Sequence, residues 1–235
     1  MGISGGPDMI QDGLVLALDA ADKNSYPGSG TTWRDLAGSN NGTLTNDPTF
    51  NSINGGSILF DGINDAVMIP RIYPGVLSIT SNITTTAWIY YRDFGYTSWM
   101  IVIDDMGSSP YTSWCMWIDD SAPADGKRIA TYDNGNWLRS TSRVAPNRWN
   151  HIAMSKSGNT SSFYINSIFS NTVTFTALTN GIYTPETDTG TGIGSHTANS
   201  YPFNGYIANV QVHNRALSAS EVLQNYNALK SRFNL

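Results

Sequence analysis

The chain has 235 residues, a net charge of −5 and only 13% charged residues, whereas aromatic residues make up 11%. This length suits one large β domain, and the aromatic content with 22 Gly and 10 Pro favours strands joined by many turns. The lack of any run of Lys or Arg excludes the phosphate-binding stripe of a nucleic-acid-binding protein, and the single cysteine, Cys115, excludes an intrachain disulfide.

The sequence also lacks membrane and export signals. No stretch of about 18 apolar residues occurs, so membrane insertion is not expected. The first residues, MGISGGPDMIQDG, have neither the basic nor the apolar region of an export signal. No linker, charge block or internal repeat divides the chain, so we expect an N-terminal arm at residues 1–10 and a single domain at 11–235.

The first predicted elements are strands in the N-terminal third. GLVLALDA (13–20) is a short apolar run typical of a strand, and a turn-rich stretch follows it. GGSILFDG and DAVMIP then flank a tight connection at 61–64, which predicts a hairpin. NITTTAWIYYRD (82–93) carries side chains that can be covered on both faces, so it belongs in the middle of a sandwich.

The middle of the chain continues the strand pattern, with turn residues about every ten positions. The further candidates are SWMIVID, SWCMWID, KRIATYD, NWLRSTS, WNHIAMSKS, SSFYINS, SNTVTFTAL, TGIGSHT and GYIANVQVH. Together these segments predict roughly a dozen or more strands.

One short helix is predicted near the C-terminus. Ser218 and Glu221 have the spacing of a capping box, which indicates a helix that begins after Leu217. An apolar stripe then recurs at helical spacing, and it should dock on the sandwich. Its members are Val222, Leu223, Tyr226 and Leu229.

Four stretches carry a family resemblance that covers nearly the whole chain. They are FDGINDAVMIP (60–70), ITTTAWIYYRD, RWNHIAMSKSGNTSSFYIN (148–166) and FNGYIANVQVHNRALSASEV (203–222). In this order they resemble a laminin G-like domain of the concanavalin A-like lectin and glucanase superfamily. The resemblance implies an all-β jelly-roll sandwich of two antiparallel sheets with one short C-terminal helix, often with bound Ca²⁺.

The opening third carries a second resemblance. DGLVLALDAADKNSYPGSGTTWRDLAGSNNGTL is similar to such domains in structural proteins of tailed bacteriophages. That resemblance, with the lack of an export signal, implies a virion component whose partners are capsid or tail proteins. The alternative location is extracellular or on a cell surface.

Catalysis is not expected. Glycosidases of this superfamily are similar in using paired Glu residues on one strand, whereas the two Glu here are Glu186, in a Pro-containing loop, and Glu221, in the helix cap. Neighbouring Asp residues on a strand point to opposite faces, and no His has the spacing of a metal or triad motif. The candidates set aside in this way are Asp104, Asp105, Asp119, Asp120, His151, His196 and His213.

Calcium needs six to eight oxygen ligands, which Asp and Asn on adjacent loops can supply. FDGIND offers one weak candidate set without the spacing of an EF-hand, and VIDDMGSS offers another. The latter lies in a run that resembles a calcium loop of pentraxins, a related branch of the superfamily. IGSHTANSYPFNGYIANV resembles their second calcium loop, but His196, Asn199 and Ser200 stand where pentraxins have acidic ligands. The resemblance thus implies at most one Ca²⁺, at Asp104, Asp105 and Asn199.

The same two loops are expected to bind a sugar, since polar groups beside an aromatic platform bind hydroxyls and ring faces together. The predicted ligand-binding residues are Asp104, Asp105, Tyr111, His196, Asn199 and Tyr201. Further platform candidates are Tyr96, Trp99, Trp114 and Trp137, whereas Trp88, Trp117 and Trp149 are expected in the core.

We therefore expect a non-catalytic, lectin-like virion surface or decoration protein that binds a glycan or host-surface polysaccharide. Its residues 1–10 would contact the virion, and a homo-oligomer is an open alternative to a monomer. The competing functions are a purely structural capsid or tail cement protein without sugar binding, and a bacterial carbohydrate-binding or adhesion module.

Overall fold

The computed structural model describes residues 8–70, 77–79, 81–93, 99–105, 113–119, 126–133, 135–174, 190–195 and 201–235. Within these residues it contains sixteen strands and one α-helix. The strands are β1 (Leu14–Asp19), β2 (Thr32–Trp33), β3 (Gly42–Thr45), β4 (Thr49–Asn51), β5 (Ser57–Asp61), β6 (Ala66–Ile69), β7 (Ile83–Tyr91), β8 (Met100–Asp104), β9 (Cys115–Asp119), β10 (Arg128–Asp133), β11 (Asn136–Arg139), β12 (Asn150–Ser157), β13 (Thr160–Ile165), β14 (Ile168–Thr174), β15 (Thr191–Ile193) and β16 (Asn204–His213). The helix is α1 (Ala219–Leu229).

The described strands form two antiparallel sheets packed face to face. The back sheet has the order β14-β13-β12-β7-β16-β5-β4, and β1 also pairs with β16. The front sheet has the order β11-β10-β9-β8-β15-β6-β3-β2. This architecture confirms the predicted jelly-roll sandwich with a short C-terminal helix.

The hairpin predicted between β5 and β6 is wrong, because the two strands lie in different sheets. β5 pairs with β16 and β4, whereas β6 pairs with β15 and β3. The connection is held by its own side chains: Asp61 Oδ1 accepts from the Ile63 N–H at 2.8 Å, and Asp65 Oδ2 accepts from the Asp61 N–H at 2.9 Å. These bonds turn the chain from the back sheet to the front sheet instead of folding it onto itself.

The main core fills the space between the sheets. Its largest fully buried side chains include Trp33, Phe60, Tyr91, Trp114 and Phe203. β7 lies between β12 and β16, and nearly all of its residues are buried, which confirms the prediction that this strand is central.

Helix α1 covers the outer face of the back sheet. The capping box is present: the Glu221 N–H donates to Ser218 Oγ at 3.3 Å, and the Ser218 N–H donates to Glu221 Oε2 at 2.8 Å. Val222 packs on this sheet, and Tyr226 stacks on Trp88 with ring centres 5.5 Å apart. Leu223, which was expected on the same stripe, is 44% exposed, since it lies one residue round the helix from Val222.

The described part of the predicted arm is attached to the domain. The Ile10 N–H donates to Asn225 Oδ1 at 2.8 Å, and the Gln224 side chain donates to the Asp8 carbonyl at 2.7 Å. Residues 1–7 lie outside the described residues. In the described ranges, no helix has the length and apolar character needed to cross a membrane.

Candidate functional site

The outer face of the front sheet carries a second aromatic cluster at its β8–β11 end. In β9, Met116 and Ile118 lie in the main core, so alternation places Cys115, Trp117 and Asp119 on the outer face. Five rings form what we call the aromatic face. They are Trp99, Trp117, Tyr132, Trp137 and Tyr201.

The strand register brings these rings together. Across the front sheet, Ile101 pairs with Trp117, Trp117 with Ala130, and Ala130 with Arg139. The methyl side chain of Ala130 therefore lies in the middle of the face. Its small size leaves space into which the larger rings of neighbouring strands can lean.

The rings of the aromatic face are in mutual contact. Ring centres are 4.3 Å apart for Trp99 and Trp137, and 4.7 Å apart for Trp117 and Trp137. Tyr201 lies 5.1 Å from Trp117, and Tyr132 lies 5.1 Å from Trp137 in an edge-on arrangement. These separations lie within, or for Trp99 and Trp137 just below, the range of roughly 4.5–7 Å typical of attractive aromatic pairs, so the rings hold one another in place.

The face is layered from buried to exposed. Trp117 is 5% exposed and forms the base, whereas Tyr201 is 52% exposed. Trp99, Tyr132 and Trp137 are half-buried. Aromatic rings that are fixed by neighbours and still reach solvent provide flat apolar surfaces for a ligand.

Charged groups border the rings. Arg139 forms an ion pair with Asp119, whose side chain is fully buried, and its guanidinium lies 5.1 Å from the centre of the Trp99 ring. Its Nη1 also donates to the Trp137 carbonyl at 3.0 Å. Arg139 is therefore fixed beside the rings by one charge, one carbonyl and one aromatic contact.

Two of the predicted site residues, Asp104 and Asp105, are buried at the end of β8, with exposures of 2% and 1%. Asp104 Oδ2 accepts from Trp117 Nε1 at 2.7 Å, which attaches it to the aromatic face. Asp105 accepts from Ser113 Oγ at 2.8 Å and from Thr191 Oγ1 at 2.6 Å. The two neighbouring carboxylates thus have different partners.

These contacts involve two of the three predicted calcium ligands. Asp105 uses both carboxylate oxygens for hydroxyl donors, and Asp104 uses one for an indole. In the part of the chain that the structure describes, no three His, Cys, Asp or Glu side chains are grouped so as to hold a metal. Asn199, the third predicted ligand, lies outside the described residues, as do Tyr111 and His196.

The tryptophans are distributed differently from the expectation. Trp114, a platform candidate, is fully buried in the main core, where its Nε1 donates to the Leu77 carbonyl at 3.1 Å. Trp117, expected in the core, is buried on the outer face instead. Trp99 and Trp137 lie on the aromatic face as platform candidates, together with Tyr201. Tyr96 lies outside the described residues.

Sequence reasoning missed Tyr132, Arg128 and Arg139 as members of this region. A signal was present in NWLRS, because Trp137 and Arg139 are two residues apart on a strand and so share a face. What was missing was the partner across the sheet, which depends on the register of β10 with β9 and β11.

The described histidines and Glu221 have structural roles. Burial lowers the pKa of His151 to about 3, and its ring lies 5.3 Å from Trp88 beneath the helix. His213 ends β16, and burial lowers its pKa also. A hydrogen bond from Arg215 is the main cause that lowers the pKa of Glu221 to about 2. Glu186 and Asp120 lie outside the described residues.

The family model described as "Concanavalin A-like lectin/glucanases superfamily", of laminin G type, matches residues 61–223. The chain belongs to this superfamily. Among curated proteins, no sequence matches it significantly.

Solved structures of the superfamily's fold resemble the chain at low identity. A sialidase of Trypanosoma rangeli in complex with sialic acid matches 94% of this chain with a TM-score of 0.65 and 15% identity, and the chain spans 33% of that protein. Domain 4 of an extracellular arabinanase from Geobacillus stearothermophilus, in complex with arabinotriose, matches 91% of this chain and 98% of its own, with a TM-score of 0.64 and 14% identity. The binding domain of Paraclostridial Mosquitocidal Protein 1 matches 93% of this chain and 52% of its own, with a TM-score of 0.67 and 15% identity. These likenesses show the shared fold.

Proposed function

We propose that this chain is a non-catalytic, lectin-like module that binds glycans on the aromatic face of the front sheet. The observation that carries the proposal is the set of mutually fixed rings, from buried Trp117 to exposed Tyr201, beside the anchored guanidinium of Arg139. Sugars present an apolar ring face that can stack and hydroxyls that can form hydrogen bonds. The aromatic face offers rings for the stacking and the Arg139 guanidinium for the hydrogen bonds. A further support is that a domain of the same fold and nearly the same extent has been solved with arabinotriose.

An oligosaccharide array tests this proposal. We expect saturable binding by the protein, a roughly tenfold loss in Trp137→Ala, and substantial retention in Trp137→Phe, which keeps a ring in the stack. Phe169→Ala is the matched control, since Phe169 is 52% exposed on β14 of the back sheet, away from the aromatic face. Circular dichroism checks that every variant is folded. A blank array for the folded protein would refute the glycan-binding proposal.

Two additions to the same experiment test the remaining expectations. If Asp104, Asp105 and Asn199 hold a Ca²⁺ that orders the binding loops, EDTA weakens binding; unchanged binding in EDTA removes calcium from the proposal. An assay for new reducing ends after incubation with the bound oligosaccharides addresses catalysis. We expect none, and their appearance would show that the module is an enzyme.

We further propose that the module is displayed on a virion, as a surface or decoration protein. The support is the resemblance of residues 12–44 to domains in structural proteins of tailed bacteriophages. Mass spectrometry of purified phage particles tests this location, and detection only among secreted bacterial proteins would contradict it. A protein present in particles but blank on the array would instead be a structural cement protein.

A further inference from the structure

Arg128 is a second guanidinium on the outer face of the front sheet. It is the first residue of β10, and alternation places its side chain on the same face as Ala130 and Tyr132. Across the β9–β10 ladder it stands directly opposite Asp119. Its diagonal neighbours are Trp117 on β9 and Arg139 on β11, so it borders the aromatic face.

The contacts of Arg128 differ from those of Arg139. Asp119, the facing carboxylate, is paired with Arg139 instead. Within the described residues Arg128 makes no ion pair, and its half-buried side chain has a buried Nε without a hydrogen-bond partner. An unpaired buried donor of a charged group is costly. Since this Nε is closed to solvent, a ligand would approach the exposed part of the Arg128 side chain.

Asp119 forms its ion pair with only one of the two described guanidinium groups at this corner. Arg128 and Arg139 contribute two positive charges, and Asp119 contributes one negative charge. The next carboxylate on the face, Asp104, pairs with Cys115, four residues from Asp119 along β9, which is about 13 Å. Asp104 nevertheless accepts from the Trp117 indole, so the described side chains of the face comprise two guanidinium groups and two carboxylates. Arg128 is the guanidinium that forms no ion pair among these described residues.

We infer that the aromatic face selects glycans that carry a carboxylate, with Arg128 as the residue that binds the carboxylate while the sugar ring stacks on the exposed rings. This inference rests on the proposed function and narrows its ligand class. A guanidinium matches a carboxylate with two parallel hydrogen bonds, and its weak hydration suits a half-buried position. A neutral sugar would leave the Arg128 charge without an ion-pair partner among the residues that the structure describes.

The test compares oligosaccharides that contain uronic or sialic acids with their carboxyl-reduced counterparts, printed on one array and followed by calorimetry. We expect the wild-type protein to bind the acidic member of each pair about tenfold more tightly. Arg128→Met should bind both members equally, at the affinity of the reduced sugar. Arg34→Met is the control, because Arg34 is exposed beside β2, at the opposite edge of the front sheet, and its loss changes the net charge equally.

The outcomes separate the two proposals. Equal wild-type affinity for acidic and reduced members would overturn the role of Arg128 while glycan binding stands. A preference lost equally in Arg34→Met would show general electrostatic attraction and would also overturn it. No binding of either member would refute the proposed function itself, and the inference with it.

Discussion

His151 is a buried titratable group that has no charged partner in the described part of the chain. Its ring contacts both Trp88 and Tyr226, with ring centres 5.3 and 5.9 Å away, and its Nδ1 has no hydrogen-bond partner among the described residues. Burial disfavours the charged imidazolium, which is why the pKa falls from 6.5 to about 3. Between these two pKa values His151 is therefore neutral in the folded protein and protonated in the unfolded chain.

The stability of the protein should fall as the pH drops from about 6.5 toward 3. In this window the unfolded chain takes up a proton at His151 and the folded chain does not, which costs up to about 1.4 kcal/mol per pH unit. His151→Phe keeps a ring and removes the titration, so its free energy of unfolding should fall less steeply in urea titrations at pH 7, 6 and 5. The remaining slope would come partly from His213, whose pKa is also lowered. Identical slopes for both proteins would contradict this account.

At the scale of elements, the outer faces of the two sheets differ in how far they are covered. Helix α1 and the following turn cover the back sheet, where Phe233 stacks on Trp88 with ring centres 4.3 Å apart. The front sheet instead has the partly exposed aromatic face. By stabilising the helix, the capping box consequently helps to exclude water from the aromatic cluster around Trp88.

Ser218→Ala should lower the free energy of unfolding by about 1 kcal/mol, because the first turn loses its side-chain acceptor. Ser218→Asp restores an acceptor and should stay close to the wild type. Urea unfolding with an unchanged m-value measures both. An Ala variant as stable as the Asp variant would mean that Glu221 and Arg215, which are linked at 2.6 Å, hold the helix start without the serine.

The sequence predicted some elements well because their signals are local. The capping box depends on Ser218 and Glu221 alone, and the central position of β7 follows from side chains that can be covered on both of its faces. The segment SWCMWID gave no such answer, since both of its faces are apolar. Trp114, Met116 and Ile118 turned out to face the core, whereas Cys115 and Trp117 face outward. Only the pairing of this segment with β8 and β10 decides which alternate residues face the core. The aromatic face therefore could not be derived from the sequence.

At the scale of the whole molecule, the first described strand and the C-terminal segment meet. β16 pairs with β7 along one side, while β5 and β1 share its other side. Arg232, after the helix, reaches back to Asp19 at the end of β1, with Nη1 at 3.0 and 2.8 Å from the two carboxylate oxygens. Its Nη2 donates to the Gly56 carbonyl at 3.2 Å, so three distant segments share one side chain.

Arg232→Met should destabilise the protein by about 3 kcal/mol, because it leaves the buried Asp19 carboxylate without its cation. Burial already raises the pKa of Asp19, and Arg232 opposes that rise. The double variant Asp19→Asn with Arg232→Met should be less destabilised than Arg232→Met alone, since no unpaired charge remains. Thermal and urea unfolding measure the difference. Equal stabilities of the single and double variants would show that the loss comes from the carbonyl contacts.

The stacking of Trp99, Trp117 and Trp137 has an optical consequence. Indole rings with centres 4.3 and 4.7 Å apart couple their electronic transitions, whereas Trp33 and Trp114 are enclosed in the core on the other side of the sheet. The circular dichroism and emission of the three coupled indoles therefore form a spectroscopic signature of one surface. A molecule that settles on that surface perturbs the signature directly, so the protein reports its own occupancy without a label.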